Sequence, residues 1–148
     1  MERIYLSNWV IDINAKRTKK YYDTITVEEG CDCAYCRNYL ECCEGFSKEV
    51  LDFYKTLGID PQKGGEFMQY EMDDYNHLYM GFYHLVGEIV KKPNEDVEKW
   101  NDSNIIKIDN VNFIFSEELD LVPEKFPQPV IQLEFEVILP WLLNARCK

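Results

Sequence analysis

From Ile4 to Asn14 apolar and polar positions alternate, with Tyr5, Trp9, Ile11 and Ile13 on one side and Asn8 and Asp12 on the other. A period of two in aromatic and β-branched residues predicts a strand. Asn14 suits the cap of a short helix from Ala15 to Asp23. Lys16, Arg17, Lys19 and Lys20 make that helix locally basic, and Tyr21 and Tyr22 are its large anchors. The basic run reads as a solvated face rather than an anion site.

Helical spacing is clearest in the next stretch. Asp32 is a good cap and Gly45 a good stop, and between them Cys36, Tyr39, Leu40 and Cys43 repeat at i, i+3, i+4 and i+7. Ser47 caps a second helix whose stripe is Val50, Phe53, Tyr54 and Leu57. Phe46 before that cap is placed to staple onto Leu51. Gly58 falls where a left-handed residue ends a helix, Ile59 can fold back on Tyr54, and Pro61 prevents continuation. The short Gly45-Phe46-Ser47 joint predicts a helical hairpin.

After Gly64-Gly65 the period returns to two. Glu66 to Met72 and Leu78 to Val90 read as strands joined through Asp73-Asp74-Tyr75-Asn76. Pro93 to Asp102 reads as a charged loop carrying Trp100. Asn104 to Ile108 and Val111 to Glu117 flank Asp109-Asn110, a pair suited to a tight hairpin. Beyond Pro123, Pro127 and Pro129, Val130 to Leu139 alternates most clearly. Ile131, Leu133, Phe135, Val137 and Leu139 point one way; Gln132, Glu134 and Glu136 form a wet face. Short connections favour antiparallel pairing. The expected fold is a single α+β domain over residues 1–148, a twisted, mostly antiparallel sheet with a helical hairpin on one face.

Composition narrows the function. The 148 residues carry 27 acidic and 16 basic side chains, a net charge of −11. Phosphate backbones are bound mainly by Lys and Arg, so a general nucleic-acid binder is not expected, nor is an anionic membrane surface. Aromatic residues make up 14% of the chain, which argues for a packed core rather than disorder. Met1-Glu2-Arg3 leads straight into the first strand-like run, and no stretch approaches the roughly 18 apolar residues of a membrane span. The expected compartment is the cytoplasm, where the six cysteines would be thiols or metal ligands rather than disulfides.

The dense chemistry lies in Cys31-Asp32-Cys33-Ala34-Tyr35-Cys36, followed by Cys42-Cys43. C-x-C-x-x-C has the close spacing of metal sites, and soft thiolates suit zinc or iron–sulfur centres. Cys43 lies seven residues beyond Cys36, about 10 Å along a continuous helix, while two thiolates on one zinc are only about 4 Å apart. A fourth ligand would come from His77, His84 or an acidic residue, and Cys31, Cys33, Cys36 and His84 form the candidate metal set. Cysteine is also a small apolar residue that packs well in cores, which is the first-ranked reading, with no cofactor. A thiol at a helix N-terminus favours the thiolate, so Cys31 or Cys33 is also a candidate nucleophile, with His77 or His84 as the available base. On a strand, Phe82, His84, Val86 and Glu88 share a face, and Glu88 is within reach of raising the basicity of His84; a lone histidine with an ordinary partner is the plainer reading.

Several blocks taken together, Trp9-Val10-Ile11-Asp12, Cys33-Ala34-Tyr35-Cys36-Arg37-Asn38-Tyr39, Leu57-Gly58-Ile59-Asp60, Gly81-Phe82-Tyr83-His84 and Gln132-Leu133-Glu134-Phe135 before Pro140-Trp141, resemble those of a small family of uncharacterised bacterial proteins. The resemblance covers nearly the whole chain and implies a bacterial accessory protein without an assigned activity. Three function classes follow. The first is an acidic accessory or binding protein for a protein or small-molecule partner, the second a zinc-binding protein built on Cys31, Cys33 and Cys36, and the third a thiol-dependent enzyme.

Overall fold

The structure, a computed structural model, describes residues 1–27, 31–64, 66–93 and 99–143. Residues 28–30, Gly65, residues 94–98 of the charged Pro93–Asp102 loop and the last five residues lie outside them. The fold is α+β. Strands β1 (Glu2–Leu6) and β2 (Trp9–Ile13) precede helices α1 (Ala15–Asp23), α2 (Ala34–Glu44) and α3 (Lys48–Leu57). A 3-10 turn at Pro61–Lys63 leads to β3 (Glu66–Glu71), β4 (Asn76–Lys91), β5 (Ile106–Ile108), β6 (Val111–Ser116) and β7 (Val130–Pro140). The seven strands form one sheet in the order β1-β2-β4-β7-β6-β5, with β3 also on β4, and every described pairing is antiparallel. No helix of the described residues is long and apolar enough to cross a membrane.

The alternation from Ile4 to Asn14 is two strands, not one. Ser7 takes a positive φ of 54° and turns the chain, so that Leu6 pairs with Trp9 and Ile4 with Ile11. The inward face therefore switches from even to odd positions across the turn. Trp9, Ile11 and Ile13 are buried as expected, but Tyr5 pairs with Val10 on the outer face and is 73% exposed. At the other end, Asp109 with φ 53° closes the β5–β6 hairpin, and Asp73 Oδ1 accepts from the amides of Tyr75 and Asn76 to close the β3–β4 turn.

Strand β4 is the spine. One edge pairs with β7 from Asn76 to Val86. The other edge is shared, with β3 on residues 77–82 and β2 on residues 87–91. Helix α1 fills the interval between them with side chains. The Tyr22 hydroxyl donates to the His84 carbonyl at 2.7 Å and accepts from the His84 amide at 3.2 Å. Thr18 Oγ1 accepts from the Val86 amide at 2.8 Å, and the Asn14 amide donates to the Val86 carbonyl at 2.9 Å. Backbone groups without a strand partner are thus satisfied by a helix. The expected Asn14 cap is present, its Oδ1 accepting from the Arg17 amide at 3.0 Å.

The core lies between α2 and α3 and the odd-numbered face of β4, β6 and β7. Tyr39 stacks on Phe135 at 5.5 Å, Tyr54 meets Tyr83 edge-on at 5.1 Å, and Phe53 packs on Phe113 at 4.6 Å. Helix α3 follows its sequence closely. Ser47 Oγ accepts from the Val50 amide, and Val50, Phe53, Tyr54 and Leu57 are all buried. Gly58 has φ 81°, and the Ile59 amide donates to the Tyr54 carbonyl. A Cβ on Gly58 would stand 2.2 Å from the Ala15 carbonyl oxygen, so glycine also permits α1 and α3 to meet. Leu51 remains 39% exposed, and the Phe46 ring rests between Tyr39 and Tyr54.

Helix α2 is rotated from the expected register. Its buried residues are Asn38, Tyr39, Cys42 and Cys43, whereas Cys36 and Leu40 are half-buried. The cap is Cys33 rather than Asp32. Asn38 explains the rotation. Its Oδ1 accepts from the Leu142 amide at 2.7 Å, and its Nδ2 donates to the Pro140 carbonyl at 3.0 Å and lies 3.3 Å from the Tyr79 hydroxyl. A fully buried amide that ties the helix to the end of β7 sets the helix face.

Candidate metal centre

The first turn of α2 is fixed on two sides. The Tyr79 hydroxyl on β4 donates to the Tyr35 carbonyl at 2.8 Å, and the Tyr35 ring meets Trp141 and His77. The Arg37 amide closes the turn onto the Cys33 carbonyl at 2.9 Å. Cys33 leaves the helix in extended conformation at φ −64°, ψ 164°, which folds the preceding residues back over the helix start. Cys31 thereby comes beside Cys33, whose amide donates to the Cys31 sulfur at 3.4 Å.

The result is a convergence of three sulfurs. Those of Cys31, Cys33 and Cys36 all lie within 4.8 Å of one another. Tetrahedral zinc with bonds of about 2.3 Å sets its thiolates roughly 4 Å apart, a spread close to that of these three sulfurs. Among the described residues no other histidine, cysteine or carboxylate ligand atom joins this group. Cys31 and Cys33 are exposed and Cys36 half-buried, unlike the buried Cys42 and Cys43. Core packing therefore describes Cys42 and Cys43 and not the C-x-C-x-x-C segment.

The electrostatics differ across the three. Burial opposes ionisation of Cys33, but the Cys36 amide, the Cys31 and Cys36 side chains and the Tyr35 amide outweigh it and hold the thiol below its ordinary pKa. No contact to the Cys33 sulfur is a formal capping hydrogen bond, so the amides act as aligned dipoles at the helix start. Burial pushes Cys36 up, reinforced by its neighbours Cys31 and Cys33. A cation at the convergence point would offset this mutual opposition, since thiolates bind metal in the deprotonated form.

The cluster forms one wall of a pocket of about 520 Å³. Ile25 and Val27 after α1, Leu40 on α2 and Phe67 on β3 supply apolar walls, and Gln62 and Glu66 are among the polar ones. That volume is within the range of small-molecule sites.

The other residues singled out from the sequence lie elsewhere. Cys43 donates towards the Pro61 carbonyl at 3.8 Å, on the core side of α2, in keeping with its separation from Cys36. His84 is not brought to the cysteines as a ligand. Its Nε2 meets Gln132 Oε1 at 3.1 Å, and its ring packs against Phe126 and Phe82. Glu88, the expected partner, is exposed. Gln132, expected on the wet face, is fully buried, where its Oε1 accepts from the Asp120 amide and its Nε2 donates to Asp120 and Glu134. With Gln132 Oε1 as acceptor, His84 Nε2 carries the proton. Burial, partly offset by the Gln132 bond, pushes the His84 pKa down and keeps the ring neutral. This is a satisfied structural histidine. His77 is buried beside Gln69, with its ring against Trp141 at 5.0 Å.

Comparison of the chain with known protein families, with curated proteins and with solved structures finds no match. The sequence blocks from Trp9 to Trp141 therefore carry no functional assignment of their own.

Proposed function

We propose that the protein binds zinc, or another thiophilic d10 ion, through the thiolates of Cys31, Cys33 and Cys36. The convergence of three exposed or half-exposed sulfurs within 4.8 Å carries this reading. Soft thiolates select such ions over magnesium or calcium. Three protein ligands leave the fourth tetrahedral position for water or an exogenous donor, and the adjoining pocket gives that donor room. Because the site is built on a loop and one helical turn outside the core, the ion orders residues 31–36 rather than holding the domain together.

Elemental analysis of untagged protein tests the reading directly. One zinc per chain is expected, together with intense sulfur-to-metal charge-transfer absorption on cobalt or cadmium substitution. The bands should be lost in Cys33→Ser and Cys36→Ser while the far-ultraviolet circular dichroism is retained. Absence of stoichiometric metal after reconstitution under reducing conditions would exclude it.

A separate observation favours the accessory or binding role. On the sheet face away from α2 and α3, Tyr70, Leu78 and Ile138 form one cross-strand row and Met68 and Met80 the next. Met68, Tyr70 and Ile138 are 55%, 54% and 49% exposed, an apolar strip of the kind that marks protein-binding surfaces. Chemical-shift perturbation confined to these residues on addition of a partner would support it, and wild-type affinity in Met68→Asp and Ile138→Asp would reject it.

A further inference from the structure

The cysteines that make a metal site also have the arrangement of an exchangeable dithiol. Cys33 and Cys36 form a C-x-x-C unit in which the first sulfur is exposed at the helix cap and the second is half-buried in the first turn. Both line the wall of the roughly 520 Å³ pocket, together with Leu40, Phe67 and Ile25. Their sulfurs lie within 4.8 Å, and a side-chain rotation closes the remaining distance to a disulfide near 2.05 Å. Positions three apart at a helix start are close enough for such a bridge. The C-x-C pair is a poorer candidate, because a ring with one intervening residue is short and stiff.

We propose that Cys33 and Cys36 carry out thiol–disulfide exchange with a small organic disulfide of apolar body seated in this pocket. The Cys33 thiolate attacks one sulfur of R–S–S–R. A bond forms between Cys33 and that sulfur, the original S–S bond breaks, and the departing thiolate takes up a proton. Cys36 loses its proton and attacks the Cys33 sulfur, which releases the second thiol. Two cysteine thiols are oxidised to one disulfide, and R–S–S–R is reduced to two molecules of RSH. The order of events follows from access, since an external disulfide meets exposed Cys33 before half-buried Cys36. This activity uses the same sulfurs as the metal site but requires no ion. Its completion leaves Cys31 as the one unoxidised cysteine of the three, so exchange and metal retention exclude each other.

The experiment uses the full-length chain, stripped with chelator under reducing conditions, with dipyridyl disulfide as the probe and peptide mass mapping as the readout. In a Cys31→Ser background the expected product is a Cys33–Cys36 disulfide with no retained pyridyl group. Adding Cys36→Ser should arrest the reaction at a stable pyridyl adduct on Cys33. The Cys33 step should be at least about tenfold faster than in a peptide of residues 31–37, and the gain should be smaller with charged glutathione disulfide. Cys36→Ala serves as a second arrest variant, and circular dichroism verifies its fold. A stable Cys33 adduct in the Cys31→Ser protein would overturn the proposal, as would a Cys33 rate equal to that of the peptide. Zinc loading should suppress the exchange. A chain that binds no zinc yet completes the exchange would refute the metal reading and leave this one standing.

Discussion

Removing one oxygen atom from Tyr22 tests how α1 is held to the sheet. In Tyr22→Phe the ring still fills its site against Tyr21 and Phe126, so no large cavity opens. What is lost is a hydroxyl that served both the carbonyl and the amide of His84. Both groups are buried, and each stranded buried group costs about 1–3 kcal/mol. The 3.2 Å contact is the weaker of the two, so the expected loss is about 2–4 kcal/mol. In a domain of this size that corresponds to a melting temperature lower by about 5–15 °C. Tyr54→Phe is the control. The Tyr54 hydroxyl is buried beside those of Tyr39 and Tyr83 without a hydrogen bond of good geometry to either, and those two hydroxyls bond each other. Its removal should change stability by no more than about 0.5 kcal/mol, because no partner is stranded. Urea titrations with unchanged m-values give both numbers. Hydrogen exchange should show the His84 amide opening faster in Tyr22→Phe alone. Equal losses for the two variants, or no loss in Tyr22→Phe, would refute the claim that α1 completes the edge of β4.

Gly58→Ala combines a positive φ with a Cβ placed 2.2 Å from the Ala15 carbonyl. It should cost more than the roughly 1–2 kcal/mol of the backbone conformation alone, read from the urea midpoint. Phe135 is 1% exposed and packs against Tyr39, Phe67 and Tyr83, so Phe135→Ala should cost about 3–5 kcal/mol. Ile138→Ser, on the exposed side of the same strand, should stay within about 0.5 kcal/mol. The pKa of His84 is depressed by folding, so below the unfolded value of about 6.5 the unfolded chain binds the proton that the native ring refuses. Stability from this group is full above that pH and declines as pH falls towards the native pKa. His84→Gln should flatten the wild-type slope of stability against pH in that window, and an unchanged slope would count against a neutral buried ring.

How much of this was legible in the residues depended on the range of the interactions involved. Helix α3 is local in every respect, with a Ser47 cap, a four-residue stripe and a Gly58 stop, and each is where the pattern puts it. The last strand is equally direct, since Leu133, Phe135 and Val137 face the core. The β1–β2 hairpin hid because a two-residue turn switches the inward face from even to odd positions inside one continuous apolar-polar run, and the apolar pair Ile4 and Leu6 was the signal. The register of α2 depends on Asn38, whose partners lie 102 and 104 residues away, so a polar residue on the buried face could not be told from one on a wet face. Gln132 was misplaced for the same reason, its partners Asp120 and His84 coming from separate segments. The cysteine cluster was visible as spacing, and the helical distance argument correctly set Cys43 apart. Whether three sulfurs face solvent or core depends on the angle at which the chain enters α2, which spacing does not encode.

The arrangement of α1 on β4 also bears on how this chain behaves among its neighbours. A strand edge with free amides and carbonyls is a template on which another extended chain can add. Between the strands that cover β4, Tyr22, Thr18 and Asn14 occupy the hydrogen-bonding groups of His84 and Val86, so no chain can dock there. Were α1 to detach, the opening would lie in the most apolar part of the strand, from Tyr83 to Val86, next to a stretch already paired on its far side. Nine helical residues thus act as a guard against edge-to-edge polymerisation. Variants that loosen this helix should be recognised first by concentration-dependent precipitation near the midpoint of unfolding, before any loss of the cysteine site.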